Sequence, residues 1–221
     1  RILPWRPAIN SADWYGLFRF RSFVLDDPDR ASLVRDLCGS PTERQKNTLS
    51  PDGSIVAIGG TRPLSFHDTR TGQEIVKLQA RDHGNYKDFM ECIIAPDNKS
   101  VAMVWYQDGV VWDLATGRQF IKPFSKTGTF LEYSQDGKYL AVIDDDGLLK
   151  FWSTSDWTEA ASFEPPKFRQ EWAGFNPSAT HFATIMHTAT GREVKIWNIA
   201  TRKIETTIDA RHVVSVRFIH D

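Results

Sequence analysis

Short apolar runs separated by polar turns recur through most of the chain. Four of them are LSPDGSIVAIGG (49–60), IAPDNKSVAMVW (94–105), YSQDGKYLAVID (133–144) and FNPSATHFATIM (175–186). Each begins with a turn of Pro, Asp, Gly, Asn or Ser and continues into a segment rich in apolar side chains. Strands that are covered on both faces are apolar at most positions, so each run predicts one buried β-strand.

The turns recur at a nearly constant spacing. Their central residues are separated by 45, 39 and 42 positions, and they are Asp52, Asp97, Asp136 and Ser178. A second marker follows each turn, in the form LSFHD, GVVWD, LKFWS and VKIWN. The last residues of these markers are separated by 45, 40 and 45 positions, and they are Asp68, Asp113, Ser153 and Asn198. Two markers with one period indicate a repeat close to the ~40–45 residues of a four-stranded propeller blade.

The chemistry of the turns supports this interpretation. In SPDG, Pro51 presets φ, Asp52 accepts local backbone hydrogen bonds and Gly53 supplies a positive φ at the exit. The segments DTRTGQ (68–73) and DLATGR (113–118) are typical of hairpin turns in which Gly is the left-handed residue.

These motifs resemble the WD-repeat β-propeller family, most strongly at SQDGKYLAVI with DDDGLLKFW and at GVVWDLATGR. The resemblance covers about residues 47–221 and implies a wedge-filling aromatic residue in each blade, namely Phe66, Trp112, Trp152 and Trp197. Only Trp112-Asp113 is a true Trp-Asp pair, and His67 stands where the usual Trp is expected. The family also pairs a His with an Asp in the turn before the Trp strand; Asp108 and Asp146 occupy such turns, and only Asp108 has a candidate partner, His83.

The predicted fold is therefore all-β, a propeller of four-stranded antiparallel blades over residues 47–221, with a regular β-sandwich as the alternative. VVSVRFIHD (213–221) predicts the first strand of a further blade, and we expect the rest of that blade from a longer polypeptide or a second chain. Residues 1–46 carry no repeat marker and form a predicted extension. It comprises a strand at 17–25, the in-chain candidate for an outer closing strand, and a short helix that follows Asp27.

Composition and charge narrow the expected partners. The 221 residues carry a formal net charge of −1, which gives no reason to expect nucleic acid. No apolar run approaches the roughly 20 residues that span a bilayer, and no signal-peptide pattern is present. The two cysteines, Cys38 and Cys92, do not make a disulfide framework, and Cys92 is expected in a buried strand. We therefore expect an intracellular protein, cytoplasmic or nuclear, with no membrane association.

A search for catalytic chemistry finds no nucleophile elbow, phosphate-binding loop or zinc-protease motif. None of the six histidines has metal-ligand spacing, and the acidic run at 144–146 is typical of a solvated hairpin. The sequence thus predicts neither a cofactor nor a metal, and no enzyme. Because catalytic groups of propellers converge from several blades, a channel-mouth active site stays an alternative.

Three connecting segments favour a protein-interaction scaffold. EPPKFRQEW (164–172) holds basic and aromatic residues beside two prolines, and RDHGNYK (81–87) and KPFSKTG (122–128) are also rich in basic and aromatic residues. The candidate partner-binding residues are Lys167, Phe168, Arg169, Trp172, Tyr86 and Tyr106. For Trp172, the first position of the next inner strand is the competing interpretation. A second hypothesis is a sensor or regulatory arm of a larger protein that carries an ATPase or kinase elsewhere.

Overall fold

The computed structural model describes most of the chain as β-structure with one helix. The described residues are 27–38, 46–59, 64–78, 91–105, 108–125, 127–144, 148–163, 170–189 and 191–210, with Val216 and Phe218. The helix is α1 (Pro28–Cys38). The strands are β1 (Lys46–Leu49), β2 (Ile55–Gly59), β3 (Leu64–Asp68), β4 (Glu74–Leu78), β5 (Glu91–Ile94), β6 (Ser100–Trp105), β7 (Asp108–Asp113), β8 (Arg118–Ser125), β9 (Thr127–Tyr133), β10 (Tyr139–Asp144), β11 (Leu149–Ser153), β12 (Glu159–Phe163), β13 (Gln170–Phe175), β14 (His181–Thr188), β15 (Gly191–Asn198) and β16 (Lys203–Asp209).

The strands form four antiparallel sheets of four, each made of consecutive strands in chain order. We number the sheets 1 to 4 from β1–β4 to β13–β16. In all four sheets, the pairing of the third and fourth strands has an irregularity in register. It lies just before the second-last residue of the third strand. The prediction of an all-β fold made of repeated four-stranded sheets is confirmed, as is the burial of Cys92 in a strand.

Two turns at the same end of every sheet explain why the polar markers recur. The turn between the first and second strands places one residue at positive φ in each sheet, at Gly53, Asn98, Gly137 and Ala179. The turn between the third and fourth strands does the same at Gly72, Gly117, Trp157 and Arg202. A backbone bond then ties the two turns together, from Thr69 N to Ser54 O in sheet 1, at 2.9 Å, and from the equivalent residues in the other sheets. We call this end of the sheets the turn end.

Neighbouring sheets pack face to face through three apolar clusters. The first joins sheets 1 and 2 around Phe66 and Met103, the second joins sheets 2 and 3 around Leu140, and the third joins sheets 3 and 4 around Phe151 and Phe182. In the third cluster the rings of Phe151 and Phe182 meet edge to face, with centroids 5.0 Å apart. Among the described residues, no cluster joins sheet 1 to sheet 4.

The register of the third strands corrects one assignment made from the sequence. Trp112, Trp152 and Trp197 occupy one equivalent position and pack towards the preceding sheet. In sheet 1 this position belongs to His67 and not to Phe66, because His67 pairs with Val56 just as each Trp pairs with the matching residue of its second strand. Phe66 lies one residue earlier, so its side chain points to the opposite face, where it is fully buried against sheet 2.

Helix α1 covers the face of sheet 1 that has no preceding sheet. Asp27 caps the helix, since its Oδ1 accepts bonds from the backbone N–H groups of Asp29 and Arg30, which confirms the predicted start. Val34 packs on Val56 of sheet 1. In sheets 2, 3 and 4, the residue at the equivalent position faces the preceding sheet. The helix thus takes the place that a neighbouring sheet takes elsewhere.

Several predictions fall on residues that the structure does not describe. They are the strand at 17–25, His83, and Asp146; for Asp108 only the backbone is described, so its pairing with His83 stays a prediction. The strand predicted at 213–221 is not present at Val216 or Phe218, the two described residues of that segment. Sheet 4 is already completed by β13–β16, so these residues have no ladder of described strands to join.

The buried indole groups of sheets 2 and 4 differ in their hydrogen bonding. Trp197 Nε1 donates to Thr184 Oγ1 at 2.9 Å inside sheet 4. Trp112 Nε1 is buried without an acceptor among the described residues. The reason lies in the register, because Met103 stands in sheet 2 where Thr184 stands in sheet 4. A buried donor without a partner costs free energy. The Trp of sheet 2 therefore contributes less to stability through hydrogen bonding than the Trp of sheet 4.

Replacing Thr184 with Val is expected to lower the free energy of unfolding by about 1–3 kcal/mol, because the indole N–H of Trp197 would lose the acceptor Thr184 Oγ1. Thr184→Ser is the matched control, since it keeps the hydroxyl. Denaturant unfolding of both variants measures the difference. Equal midpoints for Thr184→Val and the wild type would show that this bond does not stabilise sheet 4.

Candidate binding groove between sheets 2 and 3

A groove of about 250 Å³ opens at the turn end between sheets 2 and 3. The sheet 2 side is formed by the first turn and by the end of the third strand. The sheet 3 side is formed by the equivalent turns and by the last residue of β9. The residues that line it are Ala95, Asp97, Lys99, Ser100, Asp113, Tyr133, Asp136, Gly137, Thr154 and Trp157.

Two aromatic side chains form the apolar part of this groove. Tyr133 is buried, and its hydroxyl lies 3.4 Å from Ser100 Oγ. Burial raises the pKa of Tyr133 well above its usual range, with the nearby Asp97 carboxylate adding to the effect. Trp157 is half-buried at the positive-φ position of its turn, at φ 56°. An indole held in this way gives the groove one flat, partly exposed wall.

Carboxylates surround the aromatic side chains. These carboxylates differ in the hydrogen bonds and ion pairs that they form. Asp113 Oδ1 accepts bonds from the backbone N–H and the hydroxyl of Thr116, both at 2.7 Å. Asp136 accepts a bond from Ser134 Oγ at 2.7 Å and pairs with Lys138 Nζ at 2.9 Å. Burial raises the pKa of Asp136, but these hydrogen bonds outweigh it and leave the pKa below its ordinary value. Both groups are therefore ionised at neutral pH.

The neighbouring pair of turns, in sheets 1 and 2, is closed by side chains. Asn98 Nδ2 of sheet 2 donates to Asp52 Oδ2 of sheet 1 at 2.8 Å and to Ser54 Oγ at 2.9 Å. Asp52 also accepts bonds from Ser50 Oγ at 2.6 Å and from the backbone and hydroxyl of Ser54. Burial raises the pKa of Asp52, yet the bonds from Ser50, Ser54 and Asn98 together lower it to about 2.

The residues predicted to define the repeat lie at equivalent places of the sheets. Asp52, Asp97 and Asp136 lie in the first turn, and Asp68 and Asp113 end the third strand. The oxygen Oδ1 of Asp68 accepts bonds from the backbone N–H groups of Arg70 and Thr71 in its own turn. Asp97, Asp113 and Asp136 also line the groove, which periodicity alone did not indicate.

Of the predicted partner-binding residues, the structure describes only the backbone of Trp172. Tyr86, Tyr106, Lys167, Phe168 and Arg169 fall outside the described residues. The strands that flank them end at the side of the sheets away from the turn end. Trp172 lies on β13 as the extra residue of a bulge, between Glu171 and Ala173, so the strand interpretation of this residue holds.

Sequence reasoning missed Tyr133, Gly137 and Trp157 as residues of one site. Gly137 carried a signal, because it is the turn residue of YSQDGK, but a turn glycine by itself predicts only a positive φ. Trp157 takes the place of Gly72 and Gly117 in its turn, and a Trp at positive φ is rare. That departure from the repeat was a local sign of an unusual turn, and Arg202 makes a similar departure in sheet 4.

The described residues contain neither a metal-binding cluster nor a membrane-spanning helix. No three or more His, Cys, Asp or Glu side chains come together there in a way that could hold a metal ion. The helix in this part of the chain is neither long nor apolar enough to cross a membrane.

The repeated four-stranded sheets fit a β-propeller-like repeat protein. Among solved structures, the chain is similar to hydrazine synthase of Kuenenia stuttgartiensis, with a TM-score of 0.59 and 18% sequence identity. The match covers 75% of this chain and 48% of that chain, so this chain spans about half the length of the structure that it resembles. No family model matches the chain, and no curated protein matches it. A likeness at this identity shows the fold alone.

This comparison corrects the prediction that the chain has no enzymatic role. Hydrazine synthase is an enzyme, and part of it has a fold similar to that of this chain. The prediction rested on the lack of linear catalytic motifs, and residues that converge from separate sheets leave no such motif. The missing motifs therefore do not support a non-enzymatic role.

Replacing Asn98 with Gly is expected to raise the pKa of Asp52 from about 2 towards its ordinary value near 4, because one of its hydrogen-bond donors is removed. A carboxyl group with a lowered pKa stabilises the folded state above its unfolded pKa, and this contribution is lost as the pH falls through the folded pKa. The variant should therefore lose less stability than the wild type between pH 4 and 2.

An NMR titration of the Asp52 side-chain carboxyl measures this pKa directly. Lys99→Ala is the control, since Lys99 is exposed in the same turn and makes no hydrogen bond to Asp52. An unchanged pKa in Asn98→Gly would contradict the role given to the bond between the two sheets.

Proposed function

We propose that this chain is a module of the WD-repeat β-propeller type and that it binds a partner protein. The observation that carries the proposal is the groove between sheets 2 and 3, which is an open, aromatic and charged cleft between turns held by backbone hydrogen bonds. A cleft that is already formed loses little conformational freedom when a partner enters it.

The repetition of the sheets supports the propeller assignment. All four have four antiparallel strands, the same pair of turns and the same irregularity before the end of the third strand. Sheets 2 and 3 pack against a neighbouring sheet on both faces, as blades do when they are arranged side by side. The Trp–Thr bond of sheet 4 adds a buried polar link between the second and third strands.

The proposed module has two ends with different chemistry. The turn end carries the groove with Asp97, Asp113 and Asp136. The basic and aromatic candidates Phe168 and Arg169 belong to the segment between β12 and β13, whose flanking strand ends lie at the other end. One partner surface would have to extend along the length of a sheet to contact both ends. We therefore propose that the two ends make separate contacts.

Replacing Phe168 and Arg169 together with Ala is expected to weaken capture of a partner protein by at least tenfold. Truncation of an interface hot spot typically costs about 2 kcal/mol or more of binding free energy. The stability of the module should change by no more than about 0.5 kcal/mol, as for ordinary surface substitutions. Quantitative affinity capture, with partners located by cross-linking and mass spectrometry, measures the effect.

A matched control replaces Ile75 and Lys77 with Ala. These residues are also one apolar and one basic side chain, and both are exposed on the outer strand β4, where Ile75 is 45% exposed. Capture by the control should equal that of the wild type. Equal loss in both variants, or no loss in either, would remove this segment from the proposed interface.

A further inference from the structure

The groove between sheets 2 and 3 exists because the side chains that fill the equivalent space between sheets 1 and 2 are missing. In the first pair of sheets, Asp52 accepts bonds from Ser50, Ser54 and Asn98. In sheet 2, Asp97 is the equivalent of Asp52. The positions equivalent to Ser50, Ser54 and Asn98 are occupied there by Ala95, Lys99 and Gly137.

The most important of these replacements is Gly137. Asn98 and Gly137 occupy the same turn position, with φ of 58° and 73°. The Asn98 side chain reaches from its own sheet to the carboxylate of the sheet before it, at 2.8 Å. Gly137 has no side chain to reach with, and a Cβ added there would lie 3.8 Å from Pro96 Cδ, in ordinary contact. Space for a bridging side chain is therefore present.

Asp97 is left with an incomplete set of donors. Its Oδ1 accepts the backbone N–H of Lys99 at 3.0 Å. Among the described residues, no side chain donates a hydrogen bond to Asp97, whereas Asp52 receives three such partners. The exposed carboxylate of Asp97 thus lacks the N–H donor that Asn98 supplies in the neighbouring pair of sheets.

The charges that line the groove favour a cation. Asp97, Asp113 and Asp136 contribute three negative charges and Lys99 one positive charge, which leaves a net charge of −2 on the lining. Lys138, just outside the lining, is held by Asp136 at 2.9 Å. Tyr133 and the partly exposed Trp157 also line the groove beside these carboxylates, and aromatic rings attract a planar cation.

We propose that the groove binds an arginine side chain from a partner protein, and that the guanidinium group takes the place of the missing amide of an Asn at position 137. This inference rests on the proposed interaction function and adds the chemistry of the partner. A guanidinium group is planar, donates several hydrogen bonds in a fixed fork and stacks on aromatic rings, which suits a carboxylate beside an indole. A lysine ammonium group meets the charge requirement without the planar fit.

The two turns provide reciprocal variants for the test. Gly137→Asn should place an amide donor opposite Asp97 and close the groove, and Asn tolerates the required backbone, as Asn98 does in the preceding sheet. Asn98→Gly should open an equivalent space opposite Asp52. The first variant is expected to bind arginine at least tenfold more weakly. The second should not gain a site of equal affinity, because Gly117 stands in sheet 2 where Trp157 stands in sheet 3.

The experiment is an NMR titration of the whole chain with a short Gly/Ser peptide that contains a single arginine. The control peptides carry citrulline, which is a neutral isostere, or lysine. Saturable shifts are expected at the backbone amides of Gly137 and Thr154 and at the Trp157 indole. We expect little response to citrulline and a weaker response to lysine. The amide spectrum and the unfolding midpoint of each variant establish that it is folded.

Three results would overturn the proposal. These are equal shifts with the arginine and citrulline peptides, unchanged binding by folded Gly137→Asn, or shifts spread evenly over exposed acidic residues. The titration uses a defined peptide and needs no captured partner. A failure to capture any protein would therefore count against the interaction function, while loss of the arginine shifts alone would count against this site.

Discussion

The backbone hydrogen bond between the two turns of each sheet is the constraint on which the rest of the structure depends. In sheet 3 the amide of Thr154, after the third strand, donates to the carbonyl of Lys138 in the first turn at 2.9 Å, and Leu114 and Ile199 make the same bond in their sheets. Both turns joined by this bond contain one residue at positive φ, and five of these eight residues are Gly or Asn, which adopt this conformation most readily. Because it fixes where the third strand ends, it also fixes which residue faces the neighbouring sheet.

This constraint leads to the packing and then to the groove. The Trp position before each turn points to the preceding sheet, so Trp197 enters the cluster with Phe163, where the ring centroids lie 4.9 Å apart. On sheet 1 the same face meets α1, and Arg30 Nε donates to Thr69 Oγ1 at 2.8 Å to hold the helix on the turn. With the turns aligned along one end, a single missing side chain at Gly137 is enough to leave a cleft.

The sequence predicted the repeat well and the site poorly, for physical reasons. Spacing and apolar patterning depend on local geometry, so the sheets, their turns and the capped helix could be read from motifs such as SPDG and DDPDR. The choice between Phe66 and His67 depends on which of them pairs with Val56 of the second strand, and composition does not reveal that pairing. The groove depends on how two turns about 40 residues apart lie against each other. Only a comparison of Asn98 with Gly137 in space identifies it.

Native-state amide hydrogen exchange tests the central constraint most directly. The account expects the amides of Thr69, Leu114, Thr154 and Ile199 to be protected as strongly as the central strand amides of their own sheets, because each opens only when its sheet unfolds. Rapid exchange of these four amides, with the strands still protected, would contradict it. The turns would then open without unfolding of the sheets, and the groove between the turns of sheets 2 and 3 could not be a preformed site.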